Sequence, residues 1–322
     1  MTAHRLGGKV GIVGAGRVGQ ACALAMVLRG SCRELVLVDR VRERAVGVAT
    51  DIRYGAPLSP PIDILAGDVE DLGGADVVLI TAGVNEKTGG ATDRDDPRGR
   101  LVLLEPNAEV YREVVPAVVK AAPEALVVVV TDPPDPLADL TRSLAGHGRV
   151  LSTGTVIDTL RFRTHVAAVL GVHPRSVDGL VVGEHGTSQV ILWSSVMVQG
   201  TPLEQALTGC CPDRALADVR EQVEREVRYA NIAIIEGNDA SQYGIGTVCA
   251  RITEAALRDE RLVMPVASFR ERYGVTLGLP TVVGREGAVA ELEPAMSDDE
   301  RDALERSAQT LRDAAGSVGA LR

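Results

Sequence analysis

Short apolar runs rich in β-branched residues alternate with helix-like patterns through the first half of the chain. The runs lack strict alternation of apolar and polar residues, which is typical of strands buried on both faces of a sheet. Strands are predicted at 9–13, 35–38, 62–66, 77–80 and 126–130, with a short one near 150, and helices at 18–29 and 42–54. Repeated β-α units of this kind predict a parallel, doubly wound sheet of the α/β class.

A different pattern begins after about residue 152. Helices are predicted at 158–170, 214–235 and 245–258, a hairpin-like region at 177–197, and strands at 262–268 and 281–283. Ser297 and Glu300 form a capping-box pattern, which predicts a last helix that begins there and ends near residue 315. We therefore predict two domains, a sheet domain at 1–152 and a mixed α+β domain at 153–322.

Composition argues against several classes of partner. The 322 residues carry a formal net charge of −10, which repels phosphate backbones and anionic lipids, so neither nucleic acid nor membrane is expected as a partner. The five cysteines show no CxxC spacing, and their odd number argues against a disulfide framework, so a cytoplasmic location is expected. The five histidines lack the close spacing of a helical metal site, and no metal is expected.

A glycine-rich turn lies where the first predicted strand ends and the first helix begins. It reads Gly14-Ala15-Gly16-Arg17-Val18-Gly19. The first glycine permits the tight turn, the second lets a pyrophosphate approach the backbone, and the third lets helix and strand pack closely. The N-terminus of the helix adds free N–H groups and a positive dipole end. In this context the pattern predicts dinucleotide binding by a Rossmann domain.

Asp39 indicates which dinucleotide to expect. It ends the next predicted strand, where a carboxylate accepts the ribose hydroxyls and repels a 2′-phosphate, so NAD is favoured over NADP. The neighbouring Arg40 is a cation that could tolerate the 2′-phosphate of NADP, so use of NADP stays open. The alternative interpretation is a cluster of turn glycines followed by a surface aspartate.

One histidine and one helix start carry the candidate catalytic chemistry. His185 stands between two glycines after a strand-like run, and Asp158 and Arg161 begin a predicted helix. Alone, His185 could equally be an ordinary turn histidine. Together with the glycine-rich turn, these segments closely resemble the L-lactate/malate dehydrogenase family, including its 2-hydroxyisocaproate branch, nearly from end to end.

The resemblance implies a role for each of these residues. His185 would be the general acid/base that protonates the substrate carbonyl, and Asp158 would hold its imidazole tautomer. Arg161 would bind the substrate carboxylate with a bidentate fork, and Arg100, on a mobile loop, would polarise the carbonyl. The alternatives are a helix-start ion pair for Asp158 and Arg161 and a solvated charge for Arg100. The resemblance also assigns to the cofactor Thr81, Ala82, Gly83, Asn107 and Thr131.

The chain departs from the family pattern around the expected substrate. The loop at 83–100 is longer than usual and also carries Arg94 and Arg98, so more than one arginine could meet the substrate. Asp132 stands where the family has an asparagine, and an ionised aspartate cannot donate a hydrogen bond. Thr187 stands where an aspartate is usual. These changes argue against ordinary lactate or malate metabolism.

Glu86 falls at the position early in the loop where members of the family select their substrate. A carboxylate there would face the substrate side chain and repel a dicarboxylate. We therefore predict poor activity on oxaloacetate and a preference for 2-oxo acids with neutral polar or cationic side chains, with Ser241 as a wall of the pocket. The alternative is that Glu86 points to solvent and that Arg94 or Arg98 binds a second carboxylate.

The resemblance as a whole predicts an NAD-dependent oxidoreductase. It would transfer a hydride between NADH and the C2 carbonyl of a small 2-oxo acid, with a non-standard substrate. It also implies a homodimer or homotetramer. Two alternatives stay open: an NAD-binding sensor or scaffold with weak or no catalysis, and a reductase of an imine derived from a 2-oxo acid.

Overall fold

A central sheet organises the molecule in a computed structural model that describes residues 8–87, 89, 91–93, 96 and 98–321. Its parallel strands are β1 (Lys9–Val13), β2 (Glu34–Val38), β3 (Asp63–Gly67), β4 (Val77–Ile80), β5 (Leu126–Val129) and β6 (Val150–Ser152). They lie in the order β3-β2-β1-β4-β5-β6, which confirms the predicted Rossmann sheet. The order reverses between β1 and β4, and open α/β sheets bind ligands in the crevice at such a switch point.

Four helices pack on this sheet within the described part of the first half. They are α1 (Arg17–Arg29), α2 (Arg42–Gly55), α3 (Leu104–Ala121) and α4 (Pro134–Ala145). The sequence pattern predicts α1 and α2 to within one residue of their observed bounds, but it does not predict α3 or α4. Both contain prolines, which normally argue against a helix: Pro116 lies inside α3, and Pro134 opens α4. Proline is tolerated in the first turn because the N–H it lacks has no helical partner there.

The second half combines helices with short strands. Its helices are α5 (Val156–Leu170), α6 (Leu203–Cys210), α7 (Leu216–Asn238), α8 (Tyr243–Leu257) and α9 (Asp298–Ser317). The predicted capping box is confirmed, because the Ser297 side chain accepts from the Glu300 N–H and the Glu300 side chain accepts from the Ser297 N–H. The hairpin-like region consists of β7 (Val177–Asp178), β8 (Val181–Val182), β9 (Val190–Ile191), β10 (Met197–Val198) and β11 (Thr201–Pro202).

The prediction of one strand at 262–268 is wrong. Pro265 falls between two strands, β12 (Leu262–Met264) and β13 (Ala267–Arg270), which belong to different sheets. The chain continues through β14 (Val275–Gly278), β15 (Thr281–Gly284) and β16 (Gly287–Glu291). While β12 joins β15 and β16, β13 and β14 extend the central sheet, with Ala267 of β13 paired antiparallel to Ser152 of β6. The change of sequence pattern after residue 152 therefore does not coincide with the edge of the sheet.

Close packing of α1 against α8 joins the two halves of the chain. A Cβ at Gly246 would lie 2.7 Å from the backbone carbon of Ala21, so only glycine allows this approach. Arg29 on α1 adds a two-pronged ion pair to Glu254 on α8, with distances of 2.8 and 2.7 Å. Among the described residues, no helix is both long and apolar enough to cross a membrane.

Candidate active site

The predicted catalytic side chains converge at the carboxyl edge of the sheet, although they come from distant parts of the sequence. His185 follows β8 after Gly183, whose positive φ of 85° turns the chain. Asp158 and Arg161 lie in the first turns of α5, and Asp132 lies between β5 and α4. The fold thus brings together residues that the sequence separates by up to about fifty positions.

His185, Asp158 and Arg161 form one hydrogen-bonded group. The His185 Nδ1 lies 2.5 Å from the Asp158 Oδ2, and the Arg161 Nη1 donates to the Asp158 Oδ1 at 3.0 Å. Burial by itself would raise the pKa of Asp158, but the charge and hydrogen bond of His185 and the charge of Arg161 hold that pKa well below its usual range. Asp158 is therefore ionised, and it accepts a hydrogen bond from the protonated Nδ1 of His185. This leaves the His185 Nε2 for the cavity that extends from His185 to the glycine-rich turn.

A second aspartate, Asp135, holds the backbone of His185. Its Oδ2 accepts the His185 N–H at 2.8 Å, and its Oδ1 accepts the Ser152 hydroxyl at 2.5 Å. Burial raises the pKa of Asp135 to about 7 against the effect of these two hydrogen bonds. Asp135 is absent from the predicted site, because its sequence neighbourhood of prolines gave no sign that its side chain would reach His185.

Within the described part of the loop, Arg100 is the arginine that contacts Asp132 and Glu86. Its Nε lies 3.3 Å from the Asp132 Oδ2 and 3.4 Å from the Glu86 Oε1, and its side chain is 13% exposed. Arg98, in contrast, is 70% exposed and pairs with Asp96. The predicted substrate residue Arg94 lies outside the described residues.

Glu86 points into the site rather than to solvent, so the alternative placement is not observed. Its side chain is 15% exposed, and its Oε1 accepts the Asn231 Nδ2 at 2.5 Å. Burial, the charge of Asp132 and a hydrogen bond with Asp132 raise the pKa of Glu86 to about 7, although Arg100 and Asn231 oppose them. Asn231 comes from α7, is nearly fully buried, and belongs to no motif that would mark it in the sequence.

Asp132 lies between the candidate acid and the loop arginine. Its Oδ1 is 3.7 Å from the His185 Nε2, while its Oδ2 faces Arg100. Its backbone carbonyl accepts the Asn107 Nδ2 at 2.6 Å. The oxygen of the Asn107 amide accepts the Val84 N–H at 2.7 Å, so Asn107 ties the start of the loop to Asp132. The Asn107 side chain is fully buried. That Asn107 also contacts the cofactor stays a prediction.

The glycine-rich turn shows the backbone geometry that a pyrophosphate requires. Gly14 has φ of +106°, and a Cβ at Gly19 would lie 1.9 Å from the Gly14 oxygen. A Cβ at Gly16, by contrast, would meet no described atom within 4 Å, so the space in front of the turn is open. Within the described residues, no side chain caps α1, which leaves the first N–H groups of the helix for an anion.

Asp39 lies beside this turn. Its Oδ2 accepts the Ala15 N–H at 2.7 Å, its Oδ1 accepts the Val41 N–H at 2.8 Å, and Arg44 stands 3.3 Å away. Thr81 supports the turn from behind by donating its hydroxyl to the Gly14 oxygen at 2.7 Å. The residues therefore fit a dinucleotide with an unphosphorylated ribose.

Two adjacent cavities connect these groups. The larger, of about 500 Å³, extends from the glycine-rich turn to His185, and predicted site residues in its lining are Gly16, Arg17, Val18, Glu86, Thr81, Gly83, Thr131, Asp132, Arg161, His185 and Ser241. Ala82 stands behind this wall, where its carbonyl accepts the Thr131 hydroxyl at 2.9 Å. The smaller, of about 280 Å³, lies on the other side of Arg100, between the loop and α7, and Thr187 lines it. Arg161 and Asn231 line both.

Comparison with known proteins agrees with this geometry. Residues 8–150 match the model of the lactate/malate dehydrogenase NAD-binding domain, and residues 155–320 match that of the lactate/malate dehydrogenase α/β C-terminal domain. The L-lactate dehydrogenase of Deinococcus radiodurans is 45% identical over 94% of this chain and 97% of its own, and that of Thermus aquaticus is 43% identical over 97% and 99%.

A solved structure extends the likeness to three dimensions. The crystal structure of a lactate dehydrogenase from a Medee basin deep-sea metagenome library superposes with a TM-score of 0.87 at 31% identity, over 97% of this chain and 99% of that one. The chain therefore belongs to the lactate/malate dehydrogenase family and is an NAD-dependent dehydrogenase of that type.

Proposed function

We propose that this protein reduces the C2 carbonyl of a small 2-oxo acid whose side chain is neutral and polar or cationic. The observation that carries the proposal is that His185 and Arg161 share one cavity with Gly16 and Val18 of the cofactor turn. A proton donor, a carboxylate anchor and a dinucleotide site thus border a single space. The roles that follow belong to this proposal.

Arg161 anchors the substrate. One of its terminal nitrogens is engaged by Asp158, and the rest of the guanidinium can take the carboxylate of a 2-oxo acid. This places the C2 carbonyl oxygen near the His185 Nε2. NADH, when bound, supplies the hydride that the carbonyl carbon receives.

His185 supplies the proton. Because the ionised Asp158 accepts the Nδ1–H, the transferable proton of the imidazolium is on Nε2, on the cavity side. The proton passes to the carbonyl oxygen as the hydride adds to carbon, and the product is a 2-hydroxy acid. Arg100 adds positive charge beside the developing oxyanion.

The acidic pair in the cavity argues against a dicarboxylate substrate. Glu86 and Asp132 both contact Arg100. When Arg161 binds the first carboxylate, this acidic part of the site remains for the substrate side chain. Two like charges about 4 Å apart repel by roughly 4 kcal/mol at an effective dielectric near 20. A second carboxylate on the substrate would meet this repulsion from both residues when both are ionised.

Asp132 also favours a second candidate function, the reduction of an imine formed from a 2-oxo acid and an amine. A carboxylate 3.7 Å from the His185 Nε2 accepts hydrogen bonds, and a protonated imine nitrogen donates one where a carbonyl oxygen does not. The two functions differ in the element bonded to C2 of the product.

A panel of 2-oxo acids with NADH tests both proposals. We expect oxidation of NADH with monocarboxylic 2-oxo acids and formation of 2-hydroxy acids, identified by mass. A product that gains nitrogen only when ammonium or an amino acid is added would favour the imine reductase. NADH binding without turnover of any compound would instead favour the hypothesis of an NAD-binding sensor or scaffold.

Self-association accompanies the proposal, as a homodimer or homotetramer. Several large apolar side chains on and after α2 are exposed in the single chain, including Tyr54 at 79% and Leu58 at 93%. A second copy that covers this face would remove them from water. Sedimentation equilibrium should give a mass of at least two chains.

A further inference from the structure

The buried charges around the occupied substrate site do not balance. Two guanidinium groups, of Arg100 and Arg161, and the His185 imidazolium face three carboxyl groups when Glu86 is ionised, those of Glu86, Asp132 and Asp158, and every one of these side chains is at most about a fifth exposed. A 2-oxo acid brings a further negative charge. A buried charge without a partner is costly, so the occupied site requires an additional cation.

The chain itself shows where a cation fits. The Arg100 Nε lies between the Glu86 Oε1 and the Asp132 Oδ2, at 3.4 and 3.3 Å. The Asn231 amide donates to the same Glu86 oxygen and fixes its position. Lys87, the next residue in the loop, does not neutralise Glu86, because it pairs with Asp239.

We infer that the substrate carries a cationic group, an ammonium or a guanidinium, at the end of its side chain, and that this group binds Glu86 in place of the Arg100 Nε. This inference rests on the proposed function and narrows its substrate class. The exchange releases Arg100 from Glu86, so its guanidinium can turn toward the carbonyl oxygen. A neutral side chain leaves Arg100 paired with two carboxylates, which weakens its effect on the carbonyl.

The surroundings of Glu86 provide space for such a side chain. The smaller cavity is lined by Arg100 and Asn231, the two residues that contact Glu86, and its lining also includes Asp93, Asp96 and the half-buried Tyr229. Asn231 lines both cavities, so a substrate side chain that extends from one into the other would lie beside it. We assign Asn231 as a positioning residue that acts through Glu86.

Two 2-oxo acids of nearly equal size test the inference. One has the guanidino side chain of arginine, and the other has the neutral ureido side chain of citrulline. With the unmodified protein and NADH, kcat/KM for the guanidino acid should exceed that for the ureido acid by at least about tenfold, as a partly buried ion pair implies. In Glu86→Gln the ratio should fall to about one, while the matched surface variant Glu109→Gln, on α3, should retain it.

A pH series gives an independent readout. Glu86 has a raised pKa of about 7, so it is protonated below that pH and charged above it, and Asp132, Arg100 and Asn231 surround it. The preference for the guanidino acid should therefore rise between pH 6 and pH 8. Any pH dependence that the two acids share cancels in the ratio.

The variant Asn231→Ala distinguishes a positioning role of Asn231 from a general structural defect. It also provides the test if Glu86→Gln does not fold. It should lower kcat/KM for the guanidino acid and leave that for the ureido acid nearly unchanged, whereas a purely structural defect would lower both. Equal kcat/KM for the two acids in the unmodified protein, or an unchanged ratio in Glu86→Gln, would overturn the inference. Failure of every 2-oxo acid in the panel would instead refute the proposed function.

Discussion

The cofactor side and the substrate side of the cavity differ in which part of the chain forms them. Backbone shapes the cofactor side: Gly14 turns at positive φ, Gly19 packs against the strand, and the start of α1 presents N–H groups. Side chains shape the substrate side, where Glu86, Asn231 and Asp132 meet from three distant segments. Backbone geometry leaves a local sequence pattern, so the first side was predictable from the sequence, while the second depends on the folded chain.

The largest expected effect of a single change lies at the boundary between these sides. His185→Asn keeps the size and polarity of the side chain but removes the proton donor, and general acid catalysis typically contributes about 10²- to 10⁴-fold. We expect kcat for any accepted 2-oxo acid to fall within that range. NADH affinity, measured by fluorescence titration, should barely change, because the other side of the cavity holds the dinucleotide.

Near-normal turnover of His185→Asn would remove His185 from the mechanism. A loss of NADH affinity as large as the loss of turnover would instead show that the two sides are not independent.

The next effect concerns the charge of the substrate side. Glu86→Arg places a cation where the unmodified protein has a carboxylate, so a dicarboxylate gains an ion-pair partner. We expect kcat/KM for oxaloacetate to rise by at least about tenfold, given the roughly 4 kcal/mol of repulsion that one close like charge can contribute. Glu86→Gln, which removes repulsion without adding attraction, should give a smaller rise.

Efficient oxaloacetate reduction by the unmodified protein would contradict the role of Glu86 directly. No gain in Glu86→Arg would place the selecting residue elsewhere in the loop.

The fate of individual residues shows why the substrate side was harder to predict. His185, Asp158 and Arg161 stood out because their segments match a family pattern, and they do converge. Asp135 and Asn231 were missed because neither forms a local motif, and each meets its partner across 50 or 145 positions of sequence. The assignment of Asn107 to the cofactor stays a prediction, and in the single chain its amide bonds the Val84 N–H and the Asp132 carbonyl.

The same contrast between local patterns and long-range contacts applies to the fold. Buried parallel strands, the glycine that ends α1, the amphipathic pattern of α2 and the capping box of α9 gave clear signals, so the central sheet and these three helices were predicted closely. The two-strand extension of the sheet by β13 and β14 was missed, because antiparallel pairing with β6 is a long-range event that no local pattern records.

A smaller effect is expected on the cofactor side. Asp39→Asn removes the charge that repels a 2′-phosphate but keeps an oxygen for the Ala15 N–H, so the turn should survive. Arg44, 3.3 Å from Asp39, is then available to a phosphate. The preference for NAD over NADP, measured as a ratio of kcat/KM values, should fall by about tenfold, or about 1.4 kcal/mol. Equal use of both cofactors by the unmodified protein would contradict this account of Asp39.

The last expected effect concerns the response of the substrate side to pH. Burial raises the pKa of Asp135 to about 7, well above its value in an unfolded chain, so the native state binds more protons than the unfolded state between about pH 4 and pH 7. The contribution of Asp135 to the free energy of unfolding is therefore complete below about pH 4 and is lost as the pH rises through 7. One proton of difference corresponds to at most about 1.4 kcal/mol per pH unit. Asp135→Asn can still accept the His185 N–H, and its amide can donate to the Ser152 hydroxyl, so the variant should fold and show a flatter decline of urea-unfolding free energy across this window. Glu109→Gln, at an exposed surface position, should retain the slope of the unmodified protein. An identical slope in Asp135→Asn would mean that the carboxyl group beside His185 is already ionised across this range.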